Sequence, residues 1–96
     1  MIEIKQQDNQ LLICGALTRK TINPAFEKKA SQLFTQSVDV LDLASVSHVD
    51  TAGLAWLLQV LAQAKKHHTN LHFTNLPQEL LKIAKLTAVD TFLPIK

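Results

Sequence analysis

Four histidines, one cysteine and eight acidic side chains are the groups on this 96-residue chain that could bind a metal or drive hydrolysis. His67, His68 and His72 are near neighbours in sequence, but consecutive helical residues point about 100° apart. That spacing matches neither the i, i+4 histidine pair of a zinc protease nor a paired-cysteine finger. The tract Lys65, Lys66, His67, His68 reads instead as a cationic helix end, favoured by the helix dipole. His48 stands alone in what reads as a loop. Cys14 lies inside "LLICGAL", where a buried thiol acting as a small hydrophobe is expected and no polar neighbour marks a nucleophile. A lone cysteine excludes an intramolecular disulfide and fits a reducing compartment. Gly15 and Gly53 are the only glycines and lie too far apart for a phosphate loop, and no serine is flanked by glycines as in a nucleophile elbow. Neither a cofactor nor a metal is expected, and an enzymatic reading has little to stand on.

What remains is "VDTAGLAWLLQ", Val49 to Gln59. Asp50 has the side chain of an N-cap, able to accept from the first free amides of a helix. Thr51 then stands first in the helix, its hydroxyl at the positive end of the dipole. If Leu54, Leu57, Leu58 and Leu61 face the core, then Ala52, Ala55, Trp56 and Gln59 flank or oppose it. Small residues at 52 and 55 leave room for another chain, and Trp56 offers the rigid contact area that interface hot spots favour. The alternative is that Trp56 tucks against the sheet edge and Thr51 merely helps the cap. The apolar surplus exceeds one core stripe, which favours the interface.

The elements that must position this stretch follow from the hydrophobic pattern. The chain suits one domain over 1–96, with 47% apolar and 19% charged residues. A net charge of +2, with the basic residues dispersed, argues against a nucleic-acid surface. The N-terminus lacks a signal-peptide core, and the apolar run after Thr51 is broken by Gln59 and Gln63, short of a membrane span. A cytosolic chain without direct membrane insertion is expected. "IEIKQ" and "LLICGAL" read as a hairpin around "QDNQ", and Asn23-Pro24 as a helix start. Phe26, Ala30, Leu33 and Phe34 then form one stripe of that helix. "VDVLDL" reads as a strand and "ASVSHV" as a loop; a long helix runs from about Thr51 to His68, with Leu54, Leu57, Leu58, Leu61 and Ala62 on its core side. "NLHFTN" is a further strand with Leu71 and Phe73 on one face. Pro77 opens a helix carrying Leu80, Leu81, Ile83, Ala84 and Leu86, and the tail packs back on the body. Strands alternating with helices imply an α/β fold: a four- to five-stranded mixed sheet, largely parallel with an edge hairpin strand, packed by three to four helices. Helices of so small a domain could all lie on one side.

The segment "VLDLASVSHVDTAGLAWLLQVLAQAKK" resembles the signature region of STAS domains, the sulfate-transporter and anti-sigma-factor-antagonist family. Asp42-Leu43 ends the strand, and Asp50-Thr51-Ala52-Gly53-Leu54 matches the family's Asp-Ser/Thr-x-Gly-Leu opening of a helix. In anti-sigma-factor antagonists the residue matching Thr51 is phosphorylated by partner kinases, but Ala52 stands where a second serine is common. The later "LHFTNLPQELLKIAKLTAVDTFLP" makes the chain more similar to the small STAS subunits of Gram-negative phospholipid transporters. That resemblance implies a non-enzymatic cytoplasmic subunit that supports the ATPase of an ABC transporter maintaining outer-membrane lipid asymmetry. Such a subunit lies peripheral to the inner membrane through that partner and its permease. The docking face would comprise Asp50, Thr51, Ala52, Ala55, Trp56 and Gln59, with Gly53 and Leu54 structural. The alternative is an anti-sigma-factor antagonist whose partners are a serine kinase and an anti-sigma factor and whose switch is phosphorylation at Thr51.

Overall fold

The computed structural model describes residues 2–33, 38–66 and 70–93. Strands β1 (Ile2–Gln7) and β2 (Gln10–Leu17) form an antiparallel hairpin. Its two-residue turn starts at Asp8, whose φ of 56° is the left-handed conformation that short polar residues tolerate. Helix α1 (Pro24–Leu33) leads to β3 (Val40–Val49), α2 (Thr51–Lys66) to β4 (His72–Thr74), and α3 (Gln78–Leu86) to a short 3-10 turn at Asp90–Phe92. The four strands lie in the order β1-β2-β3-β4, with β2, β3 and β4 parallel. This is the mixed sheet with an edge hairpin strand that the pattern implies, at its smaller size.

Two parallel crossovers proceed in the same direction across the sheet, and a common hand sets α1 and α2 on one face. Burial agrees. Ile4, Ile13, Leu11 and Leu41, linked by register, are all buried, whereas Glu3, Lys5, Gln7 and Gln10 of the alternating set are exposed. The second face is thus largely open. Cys14 points to it and is half-buried, not the core thiol expected, because strand alternation separates it from Ile13.

The "ASVSHV" stretch is strand, not loop: β3 continues to Val49. Its buried residues Leu43, Val46 and Val49 are spaced by three, which breaks the strand period of two. Two register shifts against β2, after Leu12 and after Gly15, absorb the extra residues as bulges. His48 therefore sits on the strand, exposed, with Nδ1 3.8 Å from the Glu79 carboxylate.

Each helix has a sequence-encoded start or face. Asn23 Oδ1 accepts from the Phe26 amide at 2.9 Å and caps α1, placing Phe26 and Ala30 in the core. The side chain of Leu33, and Phe34, lie outside the described residues, as do His67 and His68. The α2 stripe is rotated from the expected one: Gly53, Leu54, Trp56, Leu57, Val60 and Leu61 are buried, Leu58 is half-buried and Ala62 exposed. Pro77 is the N-cap of α3, extended at ψ 148°, rather than its first helical residue. On α3, Leu80 and Ala84 are buried and Leu86 is exposed. Leu93 returns to the core while Phe92 stays exposed.

Candidate partner-binding site at the start of α2

Parallel pairing sets the end of β2 beside the end of β3, Leu17 opposite Val49, so the 18–19 loop abuts the first turn of α2. Asp50 joins the two. Its Oδ1 accepts from the Gly53 amide at 2.9 Å, the N-cap bond, and its Oδ2 accepts from the Arg19 amide at 3.0 Å. Partial burial works to raise this carboxyl, but amide donors from Arg19, Gly53, Ala52 and its own residue outweigh it and hold the pKa below the ordinary value. Asp50 is thereby a charged staple at a helix N-terminus, where the dipole also favours an anion.

Gly53 shows why the helix can come so close. A Cβ there would overlap the Leu17 carbonyl oxygen and lie 3.0 Å from its carbonyl carbon and 3.2 Å from Leu17 Cγ. The glycine is required by backbone approach, and Leu54 beside it is 4% exposed. The Thr18–Thr21 turn stiffens the facing loop: Thr21 Oγ1 accepts from the Thr18 amide at 2.9 Å and donates to the Ala16 carbonyl at 2.7 Å. Asp42, the other acidic residue of the resemblance, accepts from the Ala44 amide at 2.9 Å and from Asn75 Nδ2 at 3.1 Å. It pins the first bulge of β3 to the turn after β4.

Of the residues expected on a partner face, Thr51, Ala55 and Gln59 are exposed and follow one another at four-residue spacing. Ala52 and Asp50 are half-buried at its margin. Trp56 is corrected. It is 6% exposed, its ring 5.1 Å from that of Phe26 at 52°, and so belongs to the α1–α2 core contact. The close approach at Gly53 rolls the helix so that position 56 turns inward and position 58 partly outward. The exposed stripe Thr51, Ala55, Gln59, Ala62, Gln63 carries no charge until Lys65 and Lys66 in the last turn. Sequence reasoning missed the 18–19 loop, with Arg19 exposed and its amide held by Asp50 at the start of α2. Only the register of β2 on β3 brings it there, and no local motif announces it.

Among the described residues no helix is long and apolar enough to cross a membrane. The family model described as "Mlab, STAS domain" matches residues 1–94. The chain is 31% identical over 81 residues to the intermembrane phospholipid transport system binding protein MlaB of Escherichia coli (strain K12), covering 84% of this chain and 81% of that protein. It is 25% identical over 87 residues to the MlaB of Haemophilus influenzae, covering 86% and 83%. In fold it matches the anti-sigma factor antagonist SpoIIAA in its unphosphorylated form, with a TM-score of 0.69 over all of this chain and 88% of that one, at 12% identity. With the family model matched over nearly the whole chain and a relative at 31% identity beside it, the chain belongs to the STAS-domain family, in its MlaB branch.

Proposed function

We propose that this chain is the non-enzymatic STAS subunit of an intermembrane phospholipid transport system, docking on the transporter's ATPase in the cytoplasm and reaching the inner membrane through it. The observation that carries the reading is the exposed stripe Thr51, Ala55, Gln59, uncharged throughout and small at its first two positions, on the helix that Asp50 and Gly53 hold against β2. An exposed helix face is ordinarily charged; one of short uncharged side chains lets another backbone approach and costs little to desolvate. The names of the MlaB relatives, as binding proteins of a phospholipid transport system, point to the partner. Asp50 and Ala52 frame the patch, while Trp56 supports it from beneath.

Co-expression with the ATPase subunit of the phospholipid transporter tests this. Thr51→Glu and Ala55→Arg each put a charge into the patch, where burial without a partner is costly. Both should lose co-purification while their melting curves match the parent chain. Normal co-purification of both would refute the docking face. The SpoIIAA-like fold and an exposed hydroxyl at position 51 favour one second reading, a phosphorylation-switched antagonist. Recovery with a serine kinase, with Thr51 predominantly phosphorylated, would replace the transporter reading by that one.

A further inference from the structure

β1 is an outer strand of the sheet, and among the described residues no backbone hydrogen bond outside its ladder with β2 uses residues 2–7. Beside it runs an open groove of about 810 Å³. One wall is four consecutive residues, Ile2 to Lys5; the other is the 20–23 loop and the first turns of α1. Successive strand side chains alternate between faces, so only the backbone edge of β1 can bring four in a row to one groove. The groove is thus floored by apolar side chains and walled by unused backbone amides and carbonyls.

Its charge is equally one-sided. Ile4 and Phe26, both buried, form apolar floor, and Lys20 and Lys29, both exposed, stand on the wall made by the 20–23 loop and α1. Glu3 and Lys5, which line it through the edge of β1, turn to the other face of the sheet and pair with each other at 3.7 Å, so they cancel. The excess of two positive charges here equals that of the whole chain. We infer that this groove binds an acidic, extended segment of a partner protein, which adds to the sheet as a fifth strand beside β1.

An added strand uses what the groove offers. Its backbone satisfies the free edge, every second side chain turns toward Ile4 and Phe26, and acidic side chains meet the lysines. A phosphate on a lipid surface would meet the lysines alone and leave the edge unused. A second copy of this chain would bring its own Lys20 and Lys29 to the same seam, where like charges oppose it. The surface is distinct from the Thr51 stripe, so a partner can hold both at once.

The full chain is titrated, by fluorescence anisotropy, with a fluorescein-labelled octapeptide alternating valine and glutamate, and with its lysine-for-glutamate counterpart. The acidic peptide should bind saturably and the basic one should not. Lys20→Glu combined with Lys29→Glu should weaken the acidic peptide at least ~10-fold, with raised salt acting in the same direction. Amide exchange on the parent chain gives a readout independent of that variant: alternate amides within residues 2–7 should slow when the acidic peptide is bound. Equal binding of both peptides, no saturable binding, or no slowing in β1 would overturn the inference. So would lysine-dependent capture of anionic phospholipid vesicles without β1 protection, or self-association of the free chain that protects the same amides.

Discussion

Gly53→Ala is the smallest change that probes how α2 is seated. The methyl group would overlap the Leu17 carbonyl oxygen and crowd Leu17 Cγ at 3.2 Å, and both belong to a strand end that is 0% exposed and cannot yield freely. The start of α2 must withdraw by roughly 1 Å, the kind of backbone shift that costs about 1–3 kcal/mol in a packed interior. Withdrawal also lengthens the Arg19–Asp50 bond, now 3.0 Å, and the Asp50–Leu17 backbone contact, now 3.4 Å; losing one such bond adds about 1 kcal/mol. Alanine's better helix propensity returns about 1 kcal/mol. The net loss is about 1–3 kcal/mol, a fall in Tm of about 4–20 °C for a domain of this size. Urea unfolding of parent and variant measures it, with an unchanged slope showing that the unfolded state is not the cause. A variant as stable as the parent, or more so, would mean that α2 does not rest on Leu17, and the orientation of its exposed stripe would fall with it.

Trp56→Ala should cost about 3–5 kcal/mol, as a large buried truncation beside Phe26, whereas Leu58→Ala should cost less than a fully buried leucine; chemical denaturation ranks them, and a near-neutral Trp56→Ala would return that ring to the surface. Asp50→Asn keeps one acceptor oxygen but loses the other, so one of the bonds from the Gly53 and Arg19 amides goes, and it should destabilise by about 0.5–1.5 kcal/mol at neutral pH. Because the Asp50 pKa is lowered in the folded state, its contribution is present above the unfolded value near 3.8 and is lost as the pH falls through the lower folded one. Parent and Asp50→Asn stabilities should therefore converge in acid, and a gap that persists below that range would show that the carboxylate charge is not what the cap uses. Asn23→Ala removes the bond to the Phe26 amide at 2.9 Å and should cost about 0.5–2 kcal/mol without touching co-purification with the ATPase.

Most of the architecture was legible because the signals were local. Asp8 in the hairpin turn, Asn23-Pro24 and Asp50 each act within three or four residues of chain, and the structure uses all of them as expected. The second half of β3 was hidden because bulges turn a period of two into a spacing of three, which in a single sequence looks like no period at all. Trp56 was misplaced for a different reason. The leucines at 54, 57, 58 and 61 define one plausible core stripe, but the roll of α2 about its axis is set by Leu17, 36 positions before Gly53. No pattern within the helix contains that information. The same holds for Arg19, whose place beside Thr51 depends on β2–β3 register.

The strand order carries a consequence of its own. In open α/β sheets ligands settle where the strand order reverses, since helices on opposite faces then part at the carboxyl ends of the strands and leave a crevice. Among the described residues the sheet runs β1, β2, β3, β4 in chain order and does not reverse. It offers no such topological switch point. The carboxyl ends of β2 and β3 are instead closed by the chain itself, Leu17 against Gly53 and Asp50 across to Arg19. Winding in one direction thus leaves no crevice at the carboxyl ends of these strands, and the two docking surfaces proposed above lie outside it, on the outer face of α2 and along the sheet's first edge.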